Sequence, residues 1–444
     1  MTTPTRPALN SPRRVLMASL AGTTIEFFDF YIYATAAVLV FPHLFFPNSD
    51  PASAMLQSFA TFAIAFFARP VGAALFGHFG DRIGRKATLV AALLTMGIST
   101  VLIGLLPTYE SIGVAAPLLL ALCRLGQGIG LGGEWGGAVL LATENAPPGR
   151  RTWYGMFPQL GAPIGFLLSA GLFLLLSETM EDTTFFTWGW RLPFLLSACL
   201  VIIGLYIRLK ISETPAFQKA IEREERVSVP IVTIFREHKL SVLIGTFAAL
   251  ATFVLFYLMT VFSLSWATTA LGYTRIEFLI YQMIGVVFFG ATIPLAALLA
   301  DRYGRRLILI LTTLAIGLFG LLLASLFQPG DPAGAILFCA IGLALMGFTY
   351  GPLGAALADP FPTSVRYTGA SMAFNLSGIV GASLAPYAAT WLATSFGLPY
   401  VGYYLTGSAL LTLVALLCIH EERDRPEAGS LDALAAARRA GGST

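Results

Sequence analysis

The stretch "GHFGDRIGRKATL" (Gly77–Leu89) places charged residues and glycines between two long apolar segments. A second copy, "ALLADRYGRRLIL" (Ala297–Leu309), occurs later in the chain, and Asp81 and Asp301 are 220 positions apart. The chain has 444 residues, so this spacing is about half its length. The repeat indicates two related halves that each contain the charged turn at the same place.

The remainder of the chain is strongly apolar. It is 56% hydrophobic and only 11% charged, with a mean hydropathy of +0.77, whereas soluble proteins carry roughly 25% charged residues. Apolar runs of about 20 residues are long enough to cross a bilayer as helices. We expect an all-α membrane protein with twelve transmembrane helices, at about 15–41, 54–79, 86–106, 114–143, 152–177, 189–208, 240–267, 276–300, 305–327, 333–358, 368–395 and 398–419.

The longest polar break, "ISETPAFQKAIEREERVSVPIVTIFREHK" (211–239), separates the sixth and seventh segments. Its mixed charge is typical of a solvated helix or loop. We therefore divide the chain into an N-terminal six-helix half (1–208), a cytoplasmic linker (209–239), a C-terminal six-helix half (240–419) and a cytoplasmic tail (420–444).

The distribution of basic residues predicts the orientation. With both termini on the cytoplasmic side, 23 of the 27 Lys and Arg residues fall on that side of the membrane, as the positive-inside rule requires. No signal-peptide pattern precedes the first segment, so we expect a multi-pass protein that keeps it. The net charge of +3 then reflects topology and does not indicate a nucleic-acid partner.

The charged turn resembles a known signature. Gly77, Gly80, Asp81, Arg82, Gly84, Arg85 and Lys86 resemble the signature loop of the major facilitator superfamily, and "CRLGQGIG" (123–130) resembles its helix-4 motif. Further segments resemble the metabolite:proton symporters of that superfamily, in the branch that contains shikimate transporters: "GTTIEFFDFYIY" (22–33), "FARPVGAALFGHFGDRIGRK" (67–86), "LGGEWGGA" (131–138), "WGWRLPF" (188–194) and "ETPAF" (213–217). The resemblance implies a transporter of the bacterial inner membrane built from two pseudo-symmetric halves.

We expect the first charged turn to be a conformational latch rather than only a basic loop. Gly80 and Gly84 allow a tight turn and close approach of helices. Arg85 can reach Glu144 at the cytoplasmic end of the fourth helix, and Asp81 can lie at the N-terminus of a helix of the other half, where the helix dipole favours an acid. These contacts would hold the two halves together on the cytoplasmic side.

The second charged turn offers the same chemistry in weaker form. We expect Asp301, Arg305 and Asp359 to form this second latch. The copy is incomplete, because Ala297 stands where the first turn has Gly77.

Five ionisable residues lie well inside apolar segments, where each charge costs roughly 2.5–3.5 kcal/mol on insertion scales. All five fall in the first half: Glu26, Asp29, Arg69, Arg124 and Glu134. The positions 220 residues after Arg69 and Arg124 are the neutral Phe289 and Ala344. The duplicated scaffold is therefore symmetric, whereas its embedded charge is not.

Asp29 and Arg124 resemble the acid and the arginine that pair in proton-coupled sugar porters of the same superfamily. By that resemblance, a proton on Asp29 would free Arg124 to bind an anionic substrate. A static buried ion pair is the alternative. Glu26 lies one turn from Asp29 on the same helix face and is the rival proton carrier.

Arg69 and Glu134 lie at similar depth, about 15–17 Å from the cytoplasmic helix ends at 1.5 Å per residue. They can form a pair, and that pair can be structural or can bind substrate. The predicted proton-coupling residues are Asp29, Glu26 and Glu134. The predicted substrate-binding residues are Arg124, Arg69, Trp135, Tyr257, Gln282 and Asn375.

These features predict a proton-coupled symporter that imports a small organic acid, such as shikimate or a dicarboxylate, by alternating access. An osmolyte symporter and an efflux exchanger are the alternatives, and a channel is disfavoured. No catalytic constellation or metal-ligand spacing occurs, so we expect neither an enzyme, a metal nor a cofactor, with protons as the coupling ion. The expected partners are a small organic anion and the lipid bilayer, without nucleic acid, and the expected state is a monomer.

Overall fold

Apolar helices form the architecture of the computed structural model. The structure describes residues 12–83, 85–144, 146–147, 149–209, 230–361 and 365–419, and every regular element within these ranges is helical. The all-α membrane fold predicted from the sequence is confirmed.

The first half runs from α1 to α10, with a 3₁₀ turn at Gly189–Arg191 before the last helix. Its α-helices are α1 Pro12–Leu39, α2 Phe41–Phe45, α3 Pro51–Ile83, α4 Arg85–Leu105, α5 Tyr109–Ile112, α6 Ala115–Gly132, α7 Trp135–Glu144, α8 Arg151–Thr179, α9 Asp182–Thr187 and α10 Leu192–Leu209.

The second half begins after a short helix, α11, from the predicted linker. The α-helices of this part are α11 Pro230–Glu237, α12 Lys239–Tyr257, α13 Ser263–Thr269, α14 Arg275–Tyr303, α15 Arg305–Leu326, α16 Pro332–Ala358, α17 Arg366–Ser377, α18 Ala385–Phe396 and α19 Leu398–Cys418. We call the side of the bundle where α10 ends and α11 begins the linker face, and the other side the opposite face.

The twelve predicted crossings are present. Within the described ranges, ten helical spans are long and apolar enough to cross a bilayer, and Val90–Leu105 is a shorter apolar helix. The 28-residue α1, which contains Glu26 and Asp29, completes the set. Large apolar side chains on the outer surface, such as Phe67 and Val71 at 55% and 60% exposure, are those that a bilayer would cover.

Three crossings are interrupted near their middle. The fourth breaks between α6 and α7, at Gly133 and Glu134. The seventh and eleventh contain π-helical segments, Leu258–Phe262 and Gly378–Ser383. Irregular backbone at membrane depth is tolerated where it is buried in protein or lines a cavity, so these breaks point to the centre of the bundle.

Close packing of α3 against α6 fixes the position of Arg69. A Cβ atom on Gly132 would lie 2.0 Å from the Arg69 carbonyl oxygen, and one on Gly72 would lie 2.0 Å from the Ile129 carbonyl oxygen. Only glycine fits at such an approach. The contact brings the Arg69 backbone directly against the break in the fourth crossing.

Candidate functional site

A cavity lies between the two halves, at the interrupted crossings. The space within it that no atom occupies, including the part that is open to its surroundings, is about 570 Å³. Its lining residues are Glu26, Phe27, Tyr31, Arg69, Leu131, Trp135, Ala162, Thr252, Phe253, Phe256, Tyr257, Phe289, Met346, Tyr350, Phe374 and Asn375. Five of the predicted proton and substrate residues are among them: Glu26, Arg69, Trp135, Tyr257 and Asn375.

Arg69 is a buried cation of this lining and is only 7% exposed. Its guanidinium carbon lies 4.8 Å and 4.9 Å from the ring centroids of Phe30 and Phe66, an arrangement that stabilises a cation. The Nε atom has no hydrogen-bond partner, and Arg69 forms no ion pair within the part of the chain that the structure describes. A buried guanidinium without an acceptor is suited to bind an anion.

Glu26 lines the same cavity and is also 7% exposed. Its carboxyl forms no hydrogen bond or ion pair with any residue of the described ranges. It interacts electrostatically with Arg69 and Arg208 at longer range. The cavity therefore contains an acid and an arginine that face it without pairing to each other.

Aromatic contacts and hydrogen bonds join the two halves beside the cavity. Trp135 stacks on Phe374 of the second half with ring centroids 3.7 Å apart. Its Nε1 donates to the Gln159 side chain at 3.2 Å, and the Gln159 amide donates to the Tyr350 carbonyl at 3.1 Å. The Tyr367 hydroxyl donates to the Gly133 carbonyl at 2.7 Å. These contacts fix the broken fourth crossing against the second half.

Asp29 does not line the cavity and has no exposed surface. The Ser197 hydroxyl donates to one carboxyl oxygen at 2.6 Å, and Thr100 lies beside the same group. The other oxygen, Oδ2, has no partner. Within the described residues Asp29 forms no ion pair, so the predicted direct pair with Arg124 is absent.

Arg124 is also fully buried, and it lies outside the cavity lining. It donates to the Gln127 side chain at 2.9 Å and to the Phe62 carbonyl at 3.3 Å. The Gln127 amide donates to Thr100 at 2.8 Å. Arg124 and Asp29 are thus connected through Gln127 and Thr100 and not by a direct ion pair.

Glu134 pairs with Arg208, not with Arg69 as its depth predicted. Arg208 belongs to the last turn of α10, and its side chain extends back into the bundle, where it is only 11% exposed. Similar depth was insufficient to identify the partner of Glu134, because a long arginine side chain can reach inward from a helix end.

In the second half, the predicted substrate-binding residues Tyr257 and Asn375 line the cavity. Tyr257 directly precedes the π-helical segment Leu258–Phe262, and Asn375 lies in the helical turn before Gly378–Ser383. Gln282 does not line the cavity. The Gln282 amide donates to the carbonyls of Met259 and Thr260 at 3.0 Å and 2.8 Å. The Gln282 side chain therefore stabilises the backbone of the first π segment and is not part of the cavity surface.

The residues predicted for the second latch make contacts at the linker face. The Asp301 carboxylate accepts hydrogen bonds from the backbone nitrogens of Thr152 and Trp153, at 3.0 Å and 2.9 Å. It therefore caps the N-terminus of α8, a helix of the first half. Within the second half, Arg305 and Asp359 form an ion pair at 2.9 Å.

The first latch cannot be compared in the same way. The Gly84 position and the side chains of Gly77, Gly80, Asp81, Arg85 and Glu144 lie outside the described part of the chain. Gly304 occupies the position equivalent to Gly84, and its φ of 103° is one that glycine adopts without strain. The glycine of the repeated turn is thus explained by backbone geometry.

The opposite face contains an inter-half contact that sequence reasoning missed. Arg275 forms an ion pair with Asp182 at 2.9 Å, and its guanidinium carbon lies 4.7 Å from the Phe185 ring centroid. The signal for this pair was weak: of the four basic residues outside the predicted cytoplasmic side, Arg69 and Arg124 lie inside apolar segments and only Arg191 and Arg275 fall in loops. Gln127, Thr100, Ser197 and Arg208 were also missed.

Comparisons with known proteins agree with this architecture. Residues 14–229 match the family described as sugar (and other) transporter, and residues 283–439 match the major facilitator superfamily. The crystal structure of a D-xylose–proton symporter superposes with a TM-score of 0.69 and covers 91% of this chain and 96% of that chain. At 18% sequence identity, this likeness concerns the fold alone.

Several curated proteins are similar over nearly the whole chain. The inner membrane metabolite transport protein YhjE of Escherichia coli K12 is 58% identical over 420 residues, which cover 94% of this chain and 96% of that protein. The shikimate transporter of the same strain is 36% identical over 429 residues, with 94% and 96% coverage. The proline/betaine transporter of Salmonella typhimurium is 34% identical over 437 residues, with 95% and 86% coverage.

Proposed function

This chain belongs to the major facilitator superfamily and is a multi-pass membrane transporter of small metabolites, and from that premise we propose that it is a proton-coupled symporter that imports a small organic acid. The relatives with which it was compared are transporters rather than enzymes. We further propose that it functions as a monomer in the inner membrane, with both termini in the cytoplasm.

The unpaired guanidinium of Arg69 in the inter-half cavity is the observation that carries this proposal. Arg69 is buried, lies against two aromatic rings and has no acceptor for its Nε in the described part of the chain. A carboxylate that entered the cavity would supply that acceptor through a charge-assisted hydrogen bond. We assign anion capture to Arg69 rather than Arg124, since Arg124 does not line the cavity in this conformation.

Contacts between the halves at both faces support alternating access. The Asp301 cap of α8 joins the halves at the linker face, and the Arg275–Asp182 pair joins them at the opposite face. If one set breaks while the other persists, the cavity opens to one side only. A channel would instead require a path that is open to both sides.

Proton coupling is supported by the buried acids of the first half. Glu26, Asp29 and Glu134 are 7%, 0% and 3% exposed, and a buried carboxyl that gains or loses a charge partner changes its protonation. A change of charge in the cavity can therefore be linked to the uptake or release of a proton.

A zwitterionic osmolyte is the second candidate substrate. Arg69 could hold its carboxylate while Glu26 faced its cationic group, because both side chains line the cavity. The 34% identity to a proline/betaine transporter is close to the 36% identity to a shikimate transporter, so identity does not distinguish the two substrates. Efflux by exchange remains the third candidate.

Uptake into proteoliposomes tests the proposal. Labelled shikimate, benzoate, succinate and glycine betaine are offered with and without an inward proton gradient. We expect an acid to accumulate only when the gradient is imposed, and Arg69→Gln to abolish that accumulation. Arg236→Gln, an exposed arginine of α11, is the matched control. Accumulation of glycine betaine but of no acid would reject the organic-acid assignment.

A further inference from the structure

Glu26 and Arg69 are opposite charges that share one cavity without forming a pair. Each is 7% exposed, and both belong to the lining. Neither forms an ion pair with a residue that the structure describes. The two charges attract each other only across the cavity, and a substrate would bind in that space.

The other buried charges of the first half already contact polar or charged side chains, although Asp29 Oδ2 and Arg124 Nη2 have no hydrogen-bond partner. Glu134 is paired with Arg208. Asp29 and Arg124 are connected through Thr100 and Gln127. The buried set in the described first half therefore balances as three acids against three arginines: Glu26, Asp29, Glu134, Arg69, Arg124 and Arg208.

A carboxylate bound to Arg69 disturbs this balance. It adds one negative charge to a site of low dielectric, where an uncompensated charge is unfavourable. Binding of a single proton with each carboxylate restores neutrality. Among the lining residues that the structure describes, Arg69 is the only cation, so the cavity offers a site for one carboxylate rather than two.

Glu26 is the acid that is placed to take up this proton. Glu134 is paired with Arg208, and Asp29 lies outside the lining with its Oδ1 hydrogen-bonded to Ser197. Glu26 has neither kind of contact and faces the cavity. Its neutral form would also lose its attraction to Arg69 and leave the guanidinium to the substrate.

We propose that Glu26 becomes protonated when a monocarboxylate binds to Arg69, so that one proton and one monocarboxylate cross the membrane together without net charge movement. This inference rests on the proposed function and names its substrate class and proton site. The charged and titratable groups around Glu26 are Asp29 and Tyr31 on its own helix, Arg69 on α3, Arg208 on α10, Glu134 at the break of the fourth crossing, Tyr257 on α12 and Tyr350 on α16.

The linkage between proton and substrate has a defined sign. An anion next to Glu26 favours the protonated carboxyl, and by reciprocity the protonated carboxyl favours the anion. Over the pH range in which Glu26 is ionised in the empty cavity, the Kd of the monocarboxylate should therefore rise about tenfold per pH unit. Below that range the Kd should be constant.

Calorimetry on the purified full-length protein tests this linkage. Benzoate and shikimate are titrated at several pH values in buffers of different ionisation enthalpy, which reports the number of protons taken up per ligand, with glycine betaine as the zwitterionic probe. We expect one proton per acid in the wild type. In Glu26→Gln, which mimics the protonated form, we expect binding to persist with no proton uptake and a Kd that does not change with pH.

Two further variants complete this experiment. Asp29→Asn tests the rival acid, and loss of proton uptake in this variant would move the assignment from Glu26 to Asp29. Glu110→Gln removes an exposed acid of α5 and should behave as the wild type. If Glu26→Gln still takes up one proton per acid, the assignment to Glu26 is wrong while the organic-acid function stands.

A second measurement needs no variant. In wild-type proteoliposomes with a potassium diffusion potential, uptake of the acid should be the same at positive, zero and negative potential. Acid uptake that responds to the potential would overturn the proposed electroneutral step. Binding of glycine betaine without binding of either acid would reject the inference and the proposed function together.

Discussion

Arg69 and Phe289 stand 220 positions apart in the two halves, and both line the cavity. The first is a cation held between aromatic rings, and the second is a fully buried aromatic ring. The other lining residues of the second half are likewise neutral. Within the lining, duplication has preserved the helical framework, while ionic chemistry is confined to one half and the second half supplies an aromatic and polar wall.

The largest effect on acid binding is expected when the charge of Arg69 is removed. Arg69→Gln keeps a polar side chain but loses the charge, and a charged hydrogen bond in a buried site contributes about 1.5–3 kcal/mol. The Kd of the acid should rise roughly 100-fold. Phe289→Leu, at the equivalent position, should change the Kd by less than about tenfold. Equal losses in both variants, measured by calorimetry, would show that the comparison is wrong.

A smaller effect on binding is expected at Arg124. Because Arg124 contacts Gln127 and Phe62 rather than the cavity, Arg124→Lys should lower the transport rate about tenfold or more by losing the planar fork. The Kd of the acid should stay within about threefold of the wild type. Uptake rates and calorimetry measure the two quantities separately. A Kd that rises in step with the loss of rate would mean that Arg124 itself binds the anion.

The two charged turns can be compared through their aspartates. Asp301→Ala removes a cap that stabilises the N-terminus of α8 across the halves, and loss of such a cap costs about 0.5–2 kcal/mol. We expect the population open at the linker face to increase roughly 2- to 30-fold. Pulsed electron paramagnetic resonance between spin labels at Arg150 and Tyr303 measures that opening.

Asp81→Ala is the matched variant in the first turn. If the complete first turn is the stronger latch, Asp81→Ala should increase the population open at the linker face more than Asp301→Ala does. An unchanged distance distribution in both variants would remove the conformational role of the turns.

The smallest effect is expected at the opposite face. Asp182 is 77% exposed in its side chain, and exposed ion pairs contribute about 0.2–1 kcal/mol. Asp182→Asn should therefore move the equilibrium only about 1.4- to 5-fold, toward opening at the opposite face. The shift should diminish at high salt, because salt screens exposed charges. Spin labels at Thr183 and Ala333, which are exposed residues of the two halves at the opposite face, measure it, and a salt-independent shift would point to the Phe185 contact instead.

The crossings could be predicted because the length of an apolar segment and its flanking charges are sequence properties. The lining residues Glu26 and Arg69 were also accessible, since a charge inside an apolar segment must be paired or functional. The ion-pair and hydrogen-bond partners of the buried charges could not be predicted. Depth along a helix follows from residue count, but rotation about its axis and the reach of Arg208 do not, so Glu134 was given the wrong partner.

The link between Asp29 and Arg124 shows the same limit. The family resemblance indicated Asp29 and Arg124, but it did not indicate that Thr100 and Gln127 lie between them. Gln282 was misassigned for a related reason: nothing in the sequence marks the π segment whose carbonyls it satisfies. Polar residues in apolar helices were found readily, whereas their targets depend on three-dimensional packing.

The two π-helical segments, Leu258–Phe262 and Gly378–Ser383, also have a mechanical consequence. A π turn widens the helix and replaces the usual hydrogen-bond spacing with a longer one, and helices bend at such points. The two crossings that present Tyr257 and Asn375 to the cavity should thus have low flexural stiffness, whereas α3, which presents Arg69, stays α-helical through Pro51–Ile83 although it contains Pro70. We expect the two π-helical crossings to flex around a bound substrate more than the segment of α3 that carries Arg69. Faster amide hydrogen exchange at the two segments than in the lining part of α3, slowed by bound acid, would demonstrate this compliance, and uniform exchange would refute it.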